Sequence, residues 1–190
     1  MDKIQMMSGT YPMPVLADAA ISIATCQDLP QLMALVNRAY RGASSRKGWT
    51  TEADLIAGDV RIDADALQQV LITPGSIVLG YRQAENLVGC VNLQHKGDYL
   101  YLGMFSVSPE HQNAGIGKKL LQAAELVALQ WDLKAIHMSV ISVRHELIAW
   151  YMRNGYADTG ERIPFQEDGM SGKHLRQLEF MVLRKPVIAG

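Results

Sequence analysis

Residues 105–121, Phe-Ser-Val-Ser-Pro-Glu-His-Gln-Asn-Ala-Gly-Ile-Gly-Lys-Lys-Leu-Leu, constrain this chain most, because they read as a strand that passes through a glycine turn into a helix. Gly115 and Gly117 sit where turn becomes helix, so a ligand can approach the backbone closely, and the first helical amides there have no intrahelical acceptor. Amides so placed bind anions. Lys118 and Lys119 fall in the first turn, where the helix dipole favours Asp or Glu, and an anionic ligand would remove that misfit. Ile116, Leu120, Ala123, Ala124, Val127 and Trp131 then recur at helical spacing opposite Gln122, Glu125 and Gln130. The apolar stripe anchors the helix and so fixes its N-terminus.

Two familiar phosphate loops fail on spacing. Gly115-Ile-Gly117 is followed at the position a dinucleotide loop needs by Leu120 rather than Gly, and no Gly-x-x-x-x-Gly-Lys-Ser/Thr occurs. An ordinary helix start containing glycine would have the same few letters, so the flanking segments must decide.

A chain of 190 residues, 48% hydrophobic and 19% charged, has apolar material for one full core, expected over residues 21–187 after an N-terminal tail at 1–20. The net charge of -1 gives no basic field, so neither nucleic acid nor an anionic membrane is expected as a partner. Pro12 and Pro14 break the N-terminal segment, which lacks the charged start and apolar run of a signal peptide, and no stretch suits a bilayer span. The expected location is the cytoplasm. Cys26 and Cys90 stand in apolar stretches without paired Cys/His spacing and are expected as buried free thiols. His95, His111, His145 and His174 are isolated, so no metal is expected.

Taken in order, residues 21–25 suit a short strand, and Asp28, Pro30 and Gln31 suit the capped start of a helix carrying Leu32, Leu35, Val36, Ala39 and Tyr40 inward and stopping at Gly42. Residues 41–59 turn to Gly, Ser, Thr and charge and read as a long surface loop, with Trp49 either in a binding pocket or packed beneath its own loop. A helix over 63–71 follows. Strands over 76–82, 87–95 and 99–107 form an antiparallel meander. The third strand places Tyr99, Tyr101, Gly103, Phe105 and Val107 on one face and Leu100, Leu102 and Met104 on the other. Beyond the anchored helix, residues 135–140 read as a strand, which the helical crossover makes parallel to the one before. Ser142 is expected to cap a helix over 143–154, with Leu147, Ile148 and Tyr151 inward and Gly155 at its end. A short strand over 156–160, a glycine-rich loop over 162–173 and a last strand over 175–183 complete the chain.

Gln112-Asn-Ala-Gly115-Ile-Gly117 resembles the Gln/Arg-x-x-Gly-x-Gly/Ala pyrophosphate loop of the GNAT superfamily of N-acetyltransferases. Leu147-Ile-Ala-Trp-Tyr151-Met-Arg-Asn-Gly155-Tyr156 is similar to the second signature of that superfamily, and the element order matches it over residues 21–183. The resemblance implies an α/β (α+β) fold: a mixed, mostly antiparallel sheet of about seven strands with helices on both faces and a central βαβ unit that binds acetyl-coenzyme A. It implies acetyl transfer from acetyl-coenzyme A, without a metal, to an amine of a small molecule or peptide by direct attack in a ternary complex. The alternative is a non-catalytic acyl-coenzyme A sensor or interaction module.

On the same resemblance, the splayed strands would receive the cofactor arm along Phe105, Ser106 and Val107, and the pyrophosphate would rest on Gln112, Asn113, Ala114, Gly115, Ile116, Gly117 and Lys118. Tyr151 would be the general acid; without the resemblance it reads as a core aromatic. Glu52, Glu146, His137 and Glu179 are candidate bases that no spacing separates, and a water chain would serve as well. Arg144 stands where many members carry Asn at the helix start, with Ser142 expected to take over the capping. The stretches 48–54 and 153–165 look like a poorly characterised branch, so the acceptor does not carry over. Whether the chain pairs with a second copy stays open.

Overall fold

The structure is a computed structural model and describes residues 11–165, 173 and 175–188. β1 (Ile21–Ile23) leads through a 3-10 turn at Cys26–Asp28 into α1 (Leu29–Tyr40), a single turn α2 (Gly42–Ser45) and α3 (Ala64–Ile72). The meander β2 (Ser76–Gln83), β3 (Asn86–Lys96) and β4 (Tyr99–Val107) passes into α4 (Ile116–Gln130) and β5 (Ala135–Ile141). α5 (His145–Arg153), β6 (Ala157–Pro164) and β7 (Glu179–Pro186) end the chain. The strands form one sheet in the order β1-β2-β3-β4-β5-β7-β6, antiparallel except for the β4–β5 pair, which the α4 crossover makes parallel. The mostly antiparallel seven-stranded sheet expected from the sequence is the sheet observed.

Its middle strands are buried on both faces. Leu79, Val91, Leu93, Leu100 and Ile136 pack under Leu120, Leu121, Ala124 and Val127 of α4, while Val78, Leu87 and Cys90 face Leu32, Val36 and Leu67 of α1 and α3. This explains why β2 and β3 are nearly continuous apolar runs rather than alternating ones. Burial pushes the Cys90 thiol up to about 12, which keeps it an inert packing group.

Several local expectations are corrected. Asp28 does not cap α1; it closes a capping box with Thr25 on the 3-10 turn, and Gln31 reaches across to accept from the amide of Leu87. Cys26 lies on that turn and is exposed. Ser142 does not cap α5, which starts later, at His145, without a side-chain cap; the Ser142 amide donates to the carbonyl of Glu179. Arg162 to Pro164 belong to β6 rather than to a loop, and residues 166–172 of that loop lie outside the described residues. Along residues 11–15 of the expected tail, Tyr11 stacks on His95 at 4.2 Å, Trp131 Nε1 donates to the Pro12 carbonyl, and Gln130 pairs with both backbone groups of Val15.

The largest correction concerns residues 41–59, whose polar composition suggested a surface loop. The last carbonyls of α1 lack helical donors and hold this segment instead: Glu52 donates its amide to the Tyr40 carbonyl, and Thr50 its hydroxyl to that of Ala39. Asn37 clamps the far end by accepting from the amides of Arg61 and Ile62. Arg41, Ser45, Glu52 and Ile56 are consequently buried, Ile56 against Ile141 and Leu178.

Candidate active site

β4 and β5 pair only from Tyr99 opposite Ala135 to Tyr101 opposite His137, and then diverge. The divergence has a local cause in β4. Gly103 faces Asn92 while Ser106 faces Cys90, so one strand carries an extra residue there, and Met104 takes a left-handed φ of 46°. The bulge breaks the expected alternation. Met104 turns into the α1–α3 core, and Phe105 and Val107 join Leu100 and Leu102 on the α4 side, whereas Ser106 is buried beside Cys90. The Tyr40 hydroxyl donates to the Phe105 carbonyl and fixes the bulge from outside.

Two clefts open at this divergence. The first, 270 Å³, lies against the N-terminus of α4 and is lined by Phe105, Val107, Gln112, Asn113, Gly115, Ile116, Gly117, Lys118 and Tyr151, together with Trp49, Trp150 and His111. Ala114 is exposed beside it and Ser106 faces the opposite core. Gly115 is the N-cap of α4 at φ 78°, a conformation that favours glycine, and a Cβ there would meet nothing within 4 Å. The space over the first amides of α4 is therefore open, and the described lining residues hold Lys118 and no carboxylate. This suits a polyanion such as a pyrophosphate. A Cβ on Gly117 would lie 3.4 Å from the rings of both Phe105 and Trp150, so that glycine lets two aromatics close over the helix start. Lys119, expected to await an anion, instead pairs with Asp18 at 3.1 Å and with the Tyr81 hydroxyl at 3.1 Å.

Gln112 turns inward rather than toward that space. Its Oε1 accepts from the Trp49 amide at 3.0 Å and its Nε2 donates to Thr50 Oγ1 at 2.9 Å and to the Val107 carbonyl at 3.2 Å. It thereby ties residues 48–50 to the end of β4 and sets Trp49 in the cleft wall, 6.1 Å from Trp150 between ring centroids.

The second cleft, 60 Å³, opens between β4 and β5 and is lined by Glu52, Arg61, Arg144, Ser139 and Phe180 among others. Tyr40, Phe105, Leu147 and Tyr151 line both clefts. Tyr151 is 5% exposed, with Phe105, Trp150 and Tyr156 around its ring, and burial holds its pKa well above the ordinary value. The hydroxyl is thus a proton donor at neutral pH. Of the candidate bases, Glu52 alone reaches this site. Glu146 is exposed on the first turn of α5, His137 stacks on Tyr99 at 4.2 Å, and Glu179 is exposed on β7.

Glu52 is committed to three arginines. Arg41 Nη1 donates to its Oε2 at 2.7 Å, Arg61 Nη1 lies 3.5 Å from the same oxygen, and Arg144 Nη1 lies 3.5 Å from Oε1. The Arg41 side chain is fully buried; burial pushes its pKa down while the Glu52 carboxylate keeps the guanidinium charged. Nothing in sequence spacing brings residues 41, 52, 61 and 144 together, and the polar look of 41–59 concealed the burial. Trp150 was within reach of sequence reasoning as the neighbour of Tyr151 on a signature helix; Tyr40, an apolar-face residue at a helix end, gave no such signal.

The model of the Acetyltransferase (GNAT) family matches residues 30–156. No curated protein matches the sequence significantly. Among solved structures, the chain is similar to the ribosomal-protein-S18-alanine N-acetyltransferase of Escherichia coli, at 16% identity and TM-score 0.66, covering 90% of this chain and 95% of that one. It is similar to the ribosomal-protein-alanine N-acetyltransferase of Brucella melitensis at 20% identity and TM-score 0.66, covering 87% and 98%. The PaiA N-acetyltransferase of Thermoplasma acidophilum, solved with coenzyme A, aligns at 17% identity and TM-score 0.62, covering 87% and 98%. The splayed parallel pair and the glycine turn agree with the family match over most of the chain, and the chain belongs to the GNAT family of acetyltransferases, enzymes of acyl-coenzyme A-dependent acetyl transfer.

Proposed function

We propose that the protein transfers acetyl from acetyl-coenzyme A to an amine of a small molecule or peptide by direct attack in a ternary complex, within a single domain over residues 21–187 working in the cytoplasm. The observation that carries this reading is that the two clefts meet at Tyr151. A donor entering from the α4 side and an acceptor entering between β4 and β5 reach each other at the wall that Tyr151 shares with Tyr40, Phe105 and Leu147. Acetyl-coenzyme A supplies the activated thioester; the amine forms the new C–N bond as the C–S bond breaks. The amides of residues 115–118 hold the pyrophosphate, and the free backbone edge of β4 near Phe105 and Val107 aligns the amide-bearing arm. Tyr151 donates its proton to the departing sulfur, the proton shed by the amine passes into water, and water returns one to Tyr151.

The test is a turnover assay that follows coenzyme A thiol release over a panel of amines, amino acids and peptides. Release with at least one acceptor is expected, undiminished by EDTA, since the reading gives no role to a metal. Cofactor binding without release for any acceptor would instead make the chain an acyl-coenzyme A sensor. No helix among the described residues is long and apolar enough to cross a membrane.

A further inference from the structure

We propose that Gln112 is a positioning residue for the donor: its side chain binds no part of the ligand but holds Trp49 as a wall for the purine base of the coenzyme, in the groove outside the α4-side cleft. The proposal rests on the acetyl-coenzyme A reading above. A primary amide has two N–H donors, and both on Gln112 Nε2 are taken, by Thr50 Oγ1 at 2.9 Å and by the Val107 carbonyl at 3.2 Å. Its Oε1 accepts from the Trp49 amide at 3.0 Å. This side chain has no donor left for a phosphate oxygen. Gly48 makes the arrangement possible, since a Cβ there would lie 2.7 Å from Gln112 Oε1 and 2.8 Å from Nε2. Trp49 belongs to no helix or strand, so its bond to Gln112 fixes a backbone that no ladder holds.

The groove outside is continuous with the cleft, for Trp49, Asn113 and Trp150 line both. It measures 370 Å³ and adds Glu146, Ala149 and Arg153 from the exposed face of α5. With the pyrophosphate on the amides of residues 115–118 and the arm running along β4 toward Tyr151, the nucleotide end has to leave the cleft. The cavity beyond Ser108, also of 370 Å³, shares only His111 with the cleft among the described residues, whereas the groove shares three. Glu146 and Arg153 offset each other's charge, so what the groove offers is ring surface, on which a purine stacks. The Trp49 and Trp150 rings stand 6.1 Å apart and inclined by 60°, a corner rather than a slot. α5 carries Trp150, and the Gln112 amide carries Trp49.

Calorimetry should compare coenzyme A with pantetheine 4′-phosphate, which keeps the arm and one phosphate but lacks the adenosine. Gln112→Ala should weaken coenzyme A about tenfold and leave pantetheine 4′-phosphate unchanged. Trp49→Ala should do the same, and the double variant should be no worse than Trp49→Ala alone, because one residue acts through the other. Gly48→Ala, which pushes the Gln112 amide aside, should reproduce the loss and replaces Gln112→Ala if that variant does not fold. Equal losses for both ligands on Gln112→Ala would make Gln112 a phosphate ligand. A loss with Trp49→Ala but none with Gln112→Ala, or additive losses in the double variant, would free Trp49 from Gln112. Unchanged coenzyme A affinity in both single variants would place the base elsewhere. Each of these overturns the proposal and leaves acetyl-coenzyme A binding standing, whereas a wild type that binds neither ligand overturns both.

Discussion

The two clefts on either side of the diverging strands are built from different materials. The α4-side cleft is made mainly of backbone amides, two glycines and aromatic walls drawn from residues 105–118 and α5, with Lys118 at its rim. The β4–β5 cleft sets charged side chains from three separate parts of the chain, Glu52, Arg61 and Arg144, among apolar and aromatic walls, with buried Arg41 behind them on Glu52. Backbone geometry can bind only what every polypeptide can offer, N–H groups, so it suits a ligand that is constant. The charged wall exists only where the fold brings distant side chains together, so the first cleft is legible in one contiguous stretch and the second is not.

The contrast can be broken most severely at Gly115. Gly115→Glu forces a side chain into φ 78° and sets a negative charge beside the helix amides, so coenzyme A binding measured by calorimetry should be abolished in the folded variant. Binding at wild-type affinity would place the pyrophosphate elsewhere.

The charged wall should fail in another way. Glu52→Gln leaves buried guanidiniums without their shared carboxylate, and urea unfolding should show a loss of about 3 kcal/mol or more. Coenzyme A affinity of the folded fraction should hold, because Glu52 does not line the α4-side cleft. A loss of cofactor affinity in step with the loss of stability would show that the two clefts are not independent.

Tyr151, where they meet, should separate chemistry from packing. Tyr151→Phe removes a hydroxyl and keeps the ring, so stability should change by about 1 kcal/mol while kcat falls about a hundredfold and cofactor affinity persists. An unchanged kcat would make Tyr151 a core residue, as its 5% exposure alone would suggest.

The mildest effect is on alkaline stability. Burial raises the pKa of Tyr40, Tyr151 and Tyr156 above that of an unfolded tyrosine, about 10. The unfolded chain then loses these protons first, so the protein keeps its full stability below pH 10 and loses it as pH rises toward the folded values. The slope should approach about 1.4 kcal/mol per pH unit for each buried tyrosine. Tyr151→Phe should make it shallower by one proton, measured as Tm against pH between 9 and 11.

Elements whose signal is local are legible in the amino-acid sequence alone. The stripe on α4, the inward Leu147, Ile148 and Tyr151 of α5, the meander and the parallel crossover follow from periodicity and connection length, which operate within a few residues. Capping at Ser142 and Gln31 is not legible, for the opposite reason. Gln31 meets the Leu87 amide across the fold, and α5 begins past Ser142, whose own amide pairs with Glu179 of β7, and neither partner is signalled by local spacing.

What the sequence determined by itself is the α4-side cleft: the glycine turn, the helix that presents its amides and the strand that leads into it, all contiguous from residue 105 to 121. Only the tertiary structure decided the β4–β5 cleft. Met104 bulges because β3 and β4 carry unequal residue counts, and that turns Phe105 into the site. Residues 41–59 look solvated in sequence because they are polar, yet the unsatisfied carbonyls at the end of α1 draw them inward and Glu52 neutralises what would otherwise be a prohibitive burial of Arg41. Pattern reports burial for apolar groups. For charged groups, burial depends on a partner, and here the partners lie as far apart in sequence as Glu52 and Arg144.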